Sequence, residues 1–396
     1  MASGAAPRRP AAHDGPGHPA ASALIWRRPG SRCRSEEEPI LNEVSQASDA
    51  TAPRAASGEG IRYGAATPPY DEPFEVVPGI FWLRLRLPLR LNHVNVWLIE
   101  EEDGWTVIDT GFDTPETRAV WEAVQKGPMA GRPLRRLLVT HYHPDHCGLA
   151  GHLCARTGAE CWTTRTEWLT ARLLALDTSE GFNAAYEAYD RAAGLPEAFV
   201  RQRRQAGNTY RKRAGPPPPS YRRVVAGEEI VLGGRRFSVI VGEGHAPEMI
   251  TLLSAEGDLL IAADQILPRI SPVVAVAPSA PDADPLTEFL DSLVRYEGIG
   301  PDCLVLPSHG RPFFGLPARI AELRHHHEER LERALAACRE PATAFEIMPA
   351  LFDIEIVPGQ LGFALGETYA HMNHLLRRGQ VERWRGEDGA WRYRAR

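Results

Sequence analysis

Three histidines and one aspartate fall within six consecutive residues, His141-Tyr142-His143-Pro144-Asp145-His146. The apolar run Leu137-Leu138-Val139 stands shortly before them and predicts a buried strand. Pro144 can continue neither a helix interior nor a sheet ladder, so the motif is expected on a turn. A turn at a strand end can aim several side chains at one point, and zinc, iron and manganese accept imidazole and carboxylate ligands. The motif therefore predicts a metal site at this turn.

Further residues of the same ligand types follow other predicted strands. His245 comes after Phe237–Val241, Asp264 after Leu259–Ala263, and His309 after Cys303–Pro307. Layered α/β folds place their chemistry on loops at strand ends. We therefore predict that these loops meet the first motif and form a site for two metal ions, rather than a chance scatter of histidine and aspartate.

The succession H-x-H-x-D-H, Gly-His, Asp and Ser-His-Gly resembles the metallo-β-lactamase superfamily, and within it the pattern is similar to glyoxalase II-type hydrolases. The earlier segment Val107-Ile108-Asp109-Thr110-Gly111 matches the strand-end aspartate motif of that family. The resemblance covers residues Phe74 to Leu316. It implies an α/β fold, a four-layer αββα sandwich in which two sheets face each other and helices cover the outside.

Carried onto this sequence, the resemblance implies a ligand set for two divalent metal ions. His141, His143 and His245 would hold one ion, Asp145, His146 and His309 the other, and Asp264 would bridge them. Zinc suits these ligands, and iron or manganese would also accept them. For Asp109 two interpretations stay open. Its carboxylate accepts a hydrogen bond from a ligand histidine, or it ends the strand and caps the following turn.

The same resemblance implies a metal-dependent hydrolase that uses a hydroxide bridging the two ions, with Asp145 also orienting the nucleophile. The predicted substrate is a thioester or ester of a small anionic acyl carrier, such as glutathione or coenzyme A. The alternative is a metal-dependent ribonuclease acting on single-stranded RNA, since the wider superfamily includes RNA-cleaving members. Cys147, next to His146, is either a thiol nucleophile or a small residue that packs into the following helix.

The texture of the sequence divides the chain into three parts. Residues 1–72 are rich in Ala, Pro, Gly, Arg and Ser and predict a disordered extension, with a targeting segment or a misplaced start codon as alternatives. Residues 73–316 carry the predicted hydrolase domain, with a helical insertion at 163–221. Residues 317–396 predict three helices and a basic hairpin, which resemble a winged helix. In the first of these helices, His325-His326-His327 predicts a solvated face.

The insertion contains a basic stretch from Arg201 to Arg213 without an acidic residue. An insertion at this place in the superfamily overhangs the site as a lid, so Arg204 and Tyr210 are predicted to contact an anionic group of the substrate. A solvated helix face is the alternative. Arg269, shortly after Asp264, is a further predicted substrate contact.

Composition limits the class of protein. The formal net charge of −6 at pH 7 argues against a purely nucleic-acid-binding protein, although it allows a local basic groove. The six cysteines show no paired framework and predict free thiols in a reducing compartment. No window approaches the apolar length of a membrane span. We therefore predict a cytoplasmic enzyme with a small anionic substrate, no membrane association, nucleic acid as a less favoured partner and a homodimer as one oligomeric form.

Overall fold

Two seven-stranded β-sheets face each other in the computed structural model, which describes Met1 and residues 60–353 and 358–396. Strands are numbered in chain order. The first sheet contains, in spatial order, β2 (Phe74–Val77), β3 (Ile80–Arg86), β4 (His93–Glu101), β5 (Gly104–Ile108), β6 (Leu134–Leu138), β7 (Glu160–Thr163) and β8 (Arg222–Arg223). The second contains β1 (Arg62–Tyr63), β14 (Phe313–Phe314), β13 (Leu304–Pro307), β12 (Leu259–Ala263), β11 (Met249–Ser254), β10 (Arg235–Gly242) and β9 (Glu229–Leu232).

Helices connect and cover these sheets within the described residues. They are α1 (Pro115–Lys126), α2 (Pro144–Cys147), α3 (Ala150–Thr157), α4 (Arg165–Leu176), α5 (Glu180–Ala192), α6 (Glu197–Ala206), α7 (Pro285–Ser292), α8 (Leu316–Ala337), α9 (Ala344–Leu351) and α10 (Leu361–Arg377). Short 3-10 helices span Tyr210–Lys212, Leu293–Tyr296 and Pro358–Gln360, and a hairpin of β15 (Val381–Arg385) and β16 (Trp391–Ala395) ends the chain.

Each central strand serves two hydrophobic cores, because successive side chains point to opposite faces of a sheet. Val107 of β5 packs with Trp121 of α1 on the outer side of the first sheet. Its neighbour Ile108 packs between the sheets with Leu252 of β11. A third core lies on the outer side of the second sheet, under α7 and α8. The resulting order of helices, sheet, sheet and helices confirms the predicted four-layer αββα sandwich.

The C-terminal module shares a core with the sandwich. Leu365 of α10 and Tyr393 of β16 are buried in the same cluster as Leu286 of α7. The backbone N–H of Val276 also donates to the carbonyl of Gly366 at 3.0 Å. Three helices and a hairpin are the elements that we expected at 317–396, and they pack on the outer face of the second sheet; their assignment as a winged helix stays a prediction.

Residues 60–72 correct one boundary drawn from the sequence. They were assigned to a disordered extension, yet Arg62 and Tyr63 form β1 and pair with Phe314 and Phe313. An edge strand of two residues carries too little periodicity to be recognised in a stretch rich in Gly, Ala and Pro. The remainder of that prediction, at residues 2–59, lies outside the described residues.

The histidine run in α8 differs from the expected solvated face. His325 is exposed, but His327 is fully buried, with its ring against Phe289 and its Nδ1 3.3 Å from Nε2 of His371. A helix that packs against a second domain buries one stripe whatever its overall charge, so the polar composition of the run was misleading. No helix in the described part of the chain has both the length and the apolar character that crossing a membrane requires.

Asn95 of β4 joins the two sheets beside the predicted site. Its buried side-chain oxygen accepts the indole N–H of Trp82 at 2.7 Å. Its amide nitrogen donates to the carbonyls of Pro307 and Gly310, both at 2.8 Å. These two carbonyls flank His309, so a residue of the first sheet fixes a ligand loop of the second.

Replacing Asn95 by alanine should destabilise the fold. Two buried polar groups and one half-buried carbonyl would lose their partner, and leaving such groups unsatisfied costs about 3 kcal/mol in total free energy of unfolding. Urea unfolding followed by tryptophan fluorescence measures this loss. The control is Gln205→Ala, which removes an exposed side-chain amide in α6, where the expected change is within about 0.5 kcal/mol. Equal stability of the two variants would contradict the bridging role.

Candidate metal centre

Five loops meet at one edge of the two facing sheets. Each loop follows a strand and carries one of the candidate residues: β5 leads to Asp109, β6 to the His141–His146 turn, β10 to His245, β12 to Asp264 and β13 to His309. The turn itself continues into α2, whose first residue is Pro144. Proline is tolerated there because the first N–H of a helix has no partner within the helix.

A left-handed backbone conformation orients two of the acidic side chains. Asp109 has a φ of 66° and Ala263, directly before Asp264, a φ of 48°. Non-glycine residues seldom adopt this region, and such strain persists only where the surroundings hold it. Here the N–H of Asp109 donates to the carbonyl of Leu138 at 2.9 Å, and the carbonyl of Ala263 accepts the N–H of Ser308 at 3.0 Å. Neighbouring strand ends therefore hold both bends in place.

The ligand-type side chains form one compact cluster. In each of three groups, the ligand atoms lie within 4.8 Å of one another. The groups are His141, His143 and His245; His141, His146 and Asp264; and Asp145, His146 and His309. The first and third groups have the same members as the two ligand sets that the resemblance implies. The second group joins Asp264 to one histidine of each set, which is where a bridging carboxylate would stand.

Distances within the cluster fit ligands around shared ions. Asp264 Oδ2 lies 3.3 Å from His245 Nε2, 3.4 Å from His309 Nε2 and 3.5 Å from His146 Nε2. A tetrahedral site with metal–ligand distances of ~2.0–2.1 Å places its ligand atoms about 3.3 Å apart. The buried atoms His146 Nε2, His245 Nε2 and Asp264 Oδ1 have no hydrogen-bond partner among the described residues. Buried polar atoms are rarely left so, and divalent metal ions would satisfy them.

Outer contacts turn the rings of four histidines toward the cluster. The Nδ1 atoms lie 2.9 Å from Thr140 Oγ1 for His141, 2.8 Å from Asp109 Oδ2 for His146, 2.8 Å from the Val273 carbonyl for His245 and 2.7 Å from the His93 carbonyl for His309. Each Nε2 is thereby left for the cluster, as is usual for metal-binding histidines. His143 differs, because its Nδ1 is the atom that lies 3.0 Å from His141 Nε2.

Asp109 controls two of these rings. Its buried carboxylate accepts the N–H of Thr140, and its Oδ2 accepts both the Thr140 hydroxyl and the His146 Nδ1–H, all at 2.8 Å. Because the Thr140 hydroxyl donates to Asp109, its oxygen is free to accept the Nδ1–H of His141. Of the two interpretations left open by the sequence, this geometry matches the one in which Asp109 supports a ligand histidine.

Burial and charge set the protonation of the cluster. Burial, together with His146, lowers the pKa of His141 well below its usual range, and burial with His245 lowers the pKa of His143 to about 3. Both imidazoles are therefore neutral, which is the form that binds metal. Burial would raise the pKa of Asp264, but His309 and His146 lower it well below its usual range, so this carboxyl is ionised.

A family model described as the metallo-beta-lactamase superfamily matches residues 89–309, more than half of the chain. The chain belongs to this superfamily. A second model, described as the metallo-beta-lactamase-like, C-terminal domain, matches residues 331–396. The superfamily and the His and Asp cluster together make this protein a metallo-hydrolase, and the C-terminal module also has a counterpart among metallo-beta-lactamase-like proteins.

Three similarities over most of the chain agree with this placement. The crystal structure of a beta-lactamase domain protein from Burkholderia ambifaria has a TM-score of 0.79 at 39% identity and covers 85% of this chain and 98% of its own. A metallo-beta-lactamase family protein from Thermus thermophilus has a TM-score of 0.69 at 28% identity, covering 81% and 100%. Probable metallo-hydrolase YqjP of Bacillus subtilis (strain 168) is 24% identical over 299 residues, 74% of this chain and 91% of that protein.

A shorter similarity concerns a named activity. Hydroxyacylglutathione hydrolase of Albidiferax ferrireducens is 34% identical over 89 residues. The match covers 22% of this chain and 32% of that protein. It is too short to assign a substrate to this superfamily member.

Arg204 and Tyr210, the two predicted substrate contacts in the insertion, bind other residues of the protein. The Arg204 guanidinium forms ion pairs with Glu180 and Glu187 of α5. The Tyr210 hydroxyl donates to the carbonyl of Tyr142 at 2.7 Å. Both residues therefore have partners inside the protein, and their roles as substrate contacts stay predictions. The sequence counted basic residues in the stretch but could not show which acids would fold against them.

Cys147 is not the nucleophile that the sequence left open. Its thiol lies in the interior, where Sγ donates to the carbonyl of Tyr142 at 3.0 Å and lies 3.1 Å from the Tyr210 hydroxyl. Burial raises the pKa of this thiol to about 12. Since the thiolate is the reactive form, Cys147 is inert at neutral pH and serves as a small packing residue.

Two supporting residues were missed in the sequence. Thr140 stands directly before His141, and its place beside the motif was an available signal. Glu167 stands in the insertion and is 1% exposed; its carboxylate accepts the N–H groups of Tyr142 at 2.8 Å and Glu248 at 2.7 Å. Burial raises the pKa of Glu167 to about 7 despite these bonds. No spacing rule connects Glu167 to the metal turn, so the sequence offered no signal for it.

Zinc binding should release protons at neutral pH. Burial would lower the pKa of His309, but Asp264 and Asp145 outweigh it and raise that pKa to about 10; the same carboxylates raise the pKa of His146 well above its usual value. Both rings are therefore protonated at neutral pH in the metal-free protein, and these protons must leave before the nitrogens bind metal. We expect release of about two protons per cluster, and an affinity that increases with pH.

Calorimetric titration with zinc in two buffers of different ionisation enthalpy measures this release. The control is the same titration at a pH above the pKa of His309, where the ring is already neutral and fewer protons should appear. Zinc binding without net proton release at neutral pH would show that the carboxylates do not hold protons on these rings.

Proposed function

We propose that this metallo-hydrolase cleaves a thioester or ester of a small anionic acyl carrier, with two zinc ions in the cluster. The observation that carries the proposal is the complete set of inward-facing ligand atoms, several of them buried without a partner among the described residues. Two divalent ions held there would supply an activated water and polarise the oxygen of the scissile carbonyl. The short similarity to hydroxyacylglutathione hydrolase supports a thioester.

Each ligand residue has a proposed place around the ions. His141, His143 and His245 would hold one ion, Asp145, His146 and His309 the other, and Asp264 would contact both. The Asp145 side chain is 16% exposed and that of Asp264 is 7% exposed. Because its carboxylate is the more exposed of the two, we assign to Asp145 the additional task of orienting the attacking water.

Arg269 is the proposed contact for the anionic carrier. Its side chain is exposed and forms no ion pair with any residue that the structure describes. The preceding Pro268 lies against the loop of His309, because a Cβ added at Gly310 would come within 2.7 Å of its ring. Arg319 fixes this segment by donating to the carbonyl of Leu267 at 2.6 Å. The segment that carries Arg269 is thus fixed against the loop of His309, which supports this assignment.

The structure gives less support to the ribonuclease alternative. That function would need a continuous basic track from the metal turn to the C-terminal hairpin. The hairpin arginines are instead neutralised locally, since Arg394 pairs with Glu382 and Arg392 pairs with Asp388. Arg385 lies over the ring of Trp391, which occupies both the cation and the aromatic surface. We therefore propose a small molecule as the partner.

We also propose a cytoplasmic location. The cysteines within the described residues are free thiols. Free thiols persist in a reducing compartment. Periplasmic or secreted activity of the native protein would contradict this part of the proposal.

The test of the function is turnover of the zinc-loaded protein on acyl-glutathione and acyl-coenzyme A thioesters, with a labelled single-stranded RNA in parallel. We expect thioester cleavage that is lost with a chelator and absent on RNA. The variant His143→Ala should lower kcat/KM by at least about 100-fold, since removing even a supporting residue of a metal site costs 10–100-fold. RNA cleavage without thioester turnover would sink the proposal.

The control for His143→Ala is His325→Ala, which removes an exposed histidine of α8. It should leave kcat/KM unchanged. Circular dichroism and zinc content of both variants separate loss of metal from loss of fold. Full turnover by a folded His143→Ala variant would rule out the metal-dependent reaction.

Arg269→Ala should weaken binding of the anionic carrier. One charge-assisted contact at an exposed site corresponds to about a 5-fold increase in KM with little change in kcat. The measurement compares coenzyme A thioesters with a neutral thioester, on which the variant should behave as the wild type. Arg201→Ala, at an exposed position of α6, is the matched control. An equal effect on charged and neutral substrates would contradict a role in carrier recognition.

A further inference from the structure

The Glu167 carboxylate connects two ligand loops of the cluster. One oxygen accepts the N–H of Tyr142, the residue between His141 and His143, at 2.8 Å. The other accepts the N–H of Glu248, shortly after His245, at 2.7 Å. The two loops follow strands of different sheets, so this carboxylate links them, in addition to the backbone bond from the N–H of Ile250 to the carbonyl of Thr140 at 2.9 Å.

The helix start at α4 is built around this connection. Thr164 is the N-cap, but its side chain makes no capping bond and instead donates to the carbonyl of Glu248 at 2.9 Å. The Glu248 carboxylate supplies the missing cap, because it accepts the N–H of Thr166 at 2.9 Å. A glutamate at the third helical position normally reaches back to its own N-cap. Here Glu167 and Glu248 exchange these bonds between the insertion and the ligand loop.

A second residue of the insertion holds the other side of Tyr142. The Tyr210 hydroxyl donates to the Tyr142 carbonyl at 2.7 Å, and the Cys147 thiol donates to the same oxygen at 3.0 Å. The N–H and the carbonyl of Tyr142 are therefore both bound by insertion residues. Since Tyr142 separates two of the histidines, its position determines how far apart their rings lie.

We propose that Glu167 and Tyr210 are positioning residues, through which the insertion holds the His141–His143 turn and the His245 loop at metal-binding spacing. Burying a carboxylate is costly unless charged hydrogen bonds compensate. Both carboxylate oxygens of Glu167 accept backbone N–H groups of ligand loops, and neither accepts an N–H group of its own helix. The inference rests on the proposed metal site and not on the proposed substrate.

The test measures metal binding by the full-length protein. Glu167→Gln keeps the shape but offers one acceptor oxygen, so one ligand loop loses its partner and faces an amide N–H. Tyr210→Phe removes one donor to Tyr142. We expect zinc affinity, measured by competition with a chromophoric chelator, to fall about 10-fold or more for Glu167→Gln and by less for Tyr210→Phe, in line with other supporting residues of metal sites. The visible absorption spectrum of the cobalt-loaded variants should shift.

Two control variants come from the same insertion. Tyr189→Phe removes a buried hydroxyl that donates to the Val276 carbonyl at 2.9 Å, and Glu187→Gln removes a carboxylate that pairs with Arg191 and Arg204. Neither contacts a ligand loop, so both should keep the zinc affinity and the cobalt spectrum of the wild type even if their Tm falls.

The outcomes separate the two proposals. Zinc affinity and cobalt spectrum of Glu167→Gln and Tyr210→Phe equal to those of the controls would overturn the positioning role, whatever their Tm. If Glu167→Gln does not fold, Tyr210→Phe decides alone. A wild-type protein that binds no zinc would overturn the metal site and this inference together. The expected loss of affinity combined with no thioester turnover would sustain the positioning role and overturn only the proposed substrate.

Discussion

The structure depends on how the negative charge of two carboxylates is balanced inside a buried site. The Oδ2 atoms of Asp145 and Asp264 both lie 3.4 Å from Nε2 of His309. Two carboxylates this close in a buried cluster cannot both stay ionised unless positive charge accompanies them. Protons on His146 and His309 supply that charge in the metal-free protein, and divalent ions would supply it otherwise. The carboxylates are therefore stable only beside protonated rings or metal ions, and the surrounding protein must hold these groups together.

Much of that support comes from residues at the ends of strands. Asp109 stands at the end of β5 and fixes His146 directly and His141 through Thr140. The His93 carbonyl, at the start of β4, fixes His309, although the two residues belong to different sheets. Side chains on rigid elements hold a metal site more closely than loops can. The facing sheets therefore determine the ligand geometry, and the hydrophobic contact between them is part of the site.

The sequence predicted what short-range patterns determine. Apolar runs located the strands β6, β10, β12 and β13, and ligand types after strand ends located the cluster. The partners of Arg204 lay out of reach, because Glu187 approaches it only after α5 and α6 fold back on each other. Glu167 could not be recognised for the same reason. Its carboxylate accepts hydrogen bonds from backbone N–H groups, which any residue could supply. The sequence could not predict contacts that form only when distant segments of the chain fold together.

The insertion is attached to the metal turn at several points, and its role as a lid stays a prediction. The N–H of Tyr142 donates to Glu167, and the carbonyl of Tyr142 accepts the hydroxyl of Tyr210. The carbonyl of Gly148, just past the turn, accepts the N–H of Gly215 at 3.0 Å. An insertion tied to the metal turn at these points cannot swing away without moving His141 and His143. In the function that we propose, the substrate is recognised by Arg269, which is exposed and forms no ion pair with any residue that the structure describes.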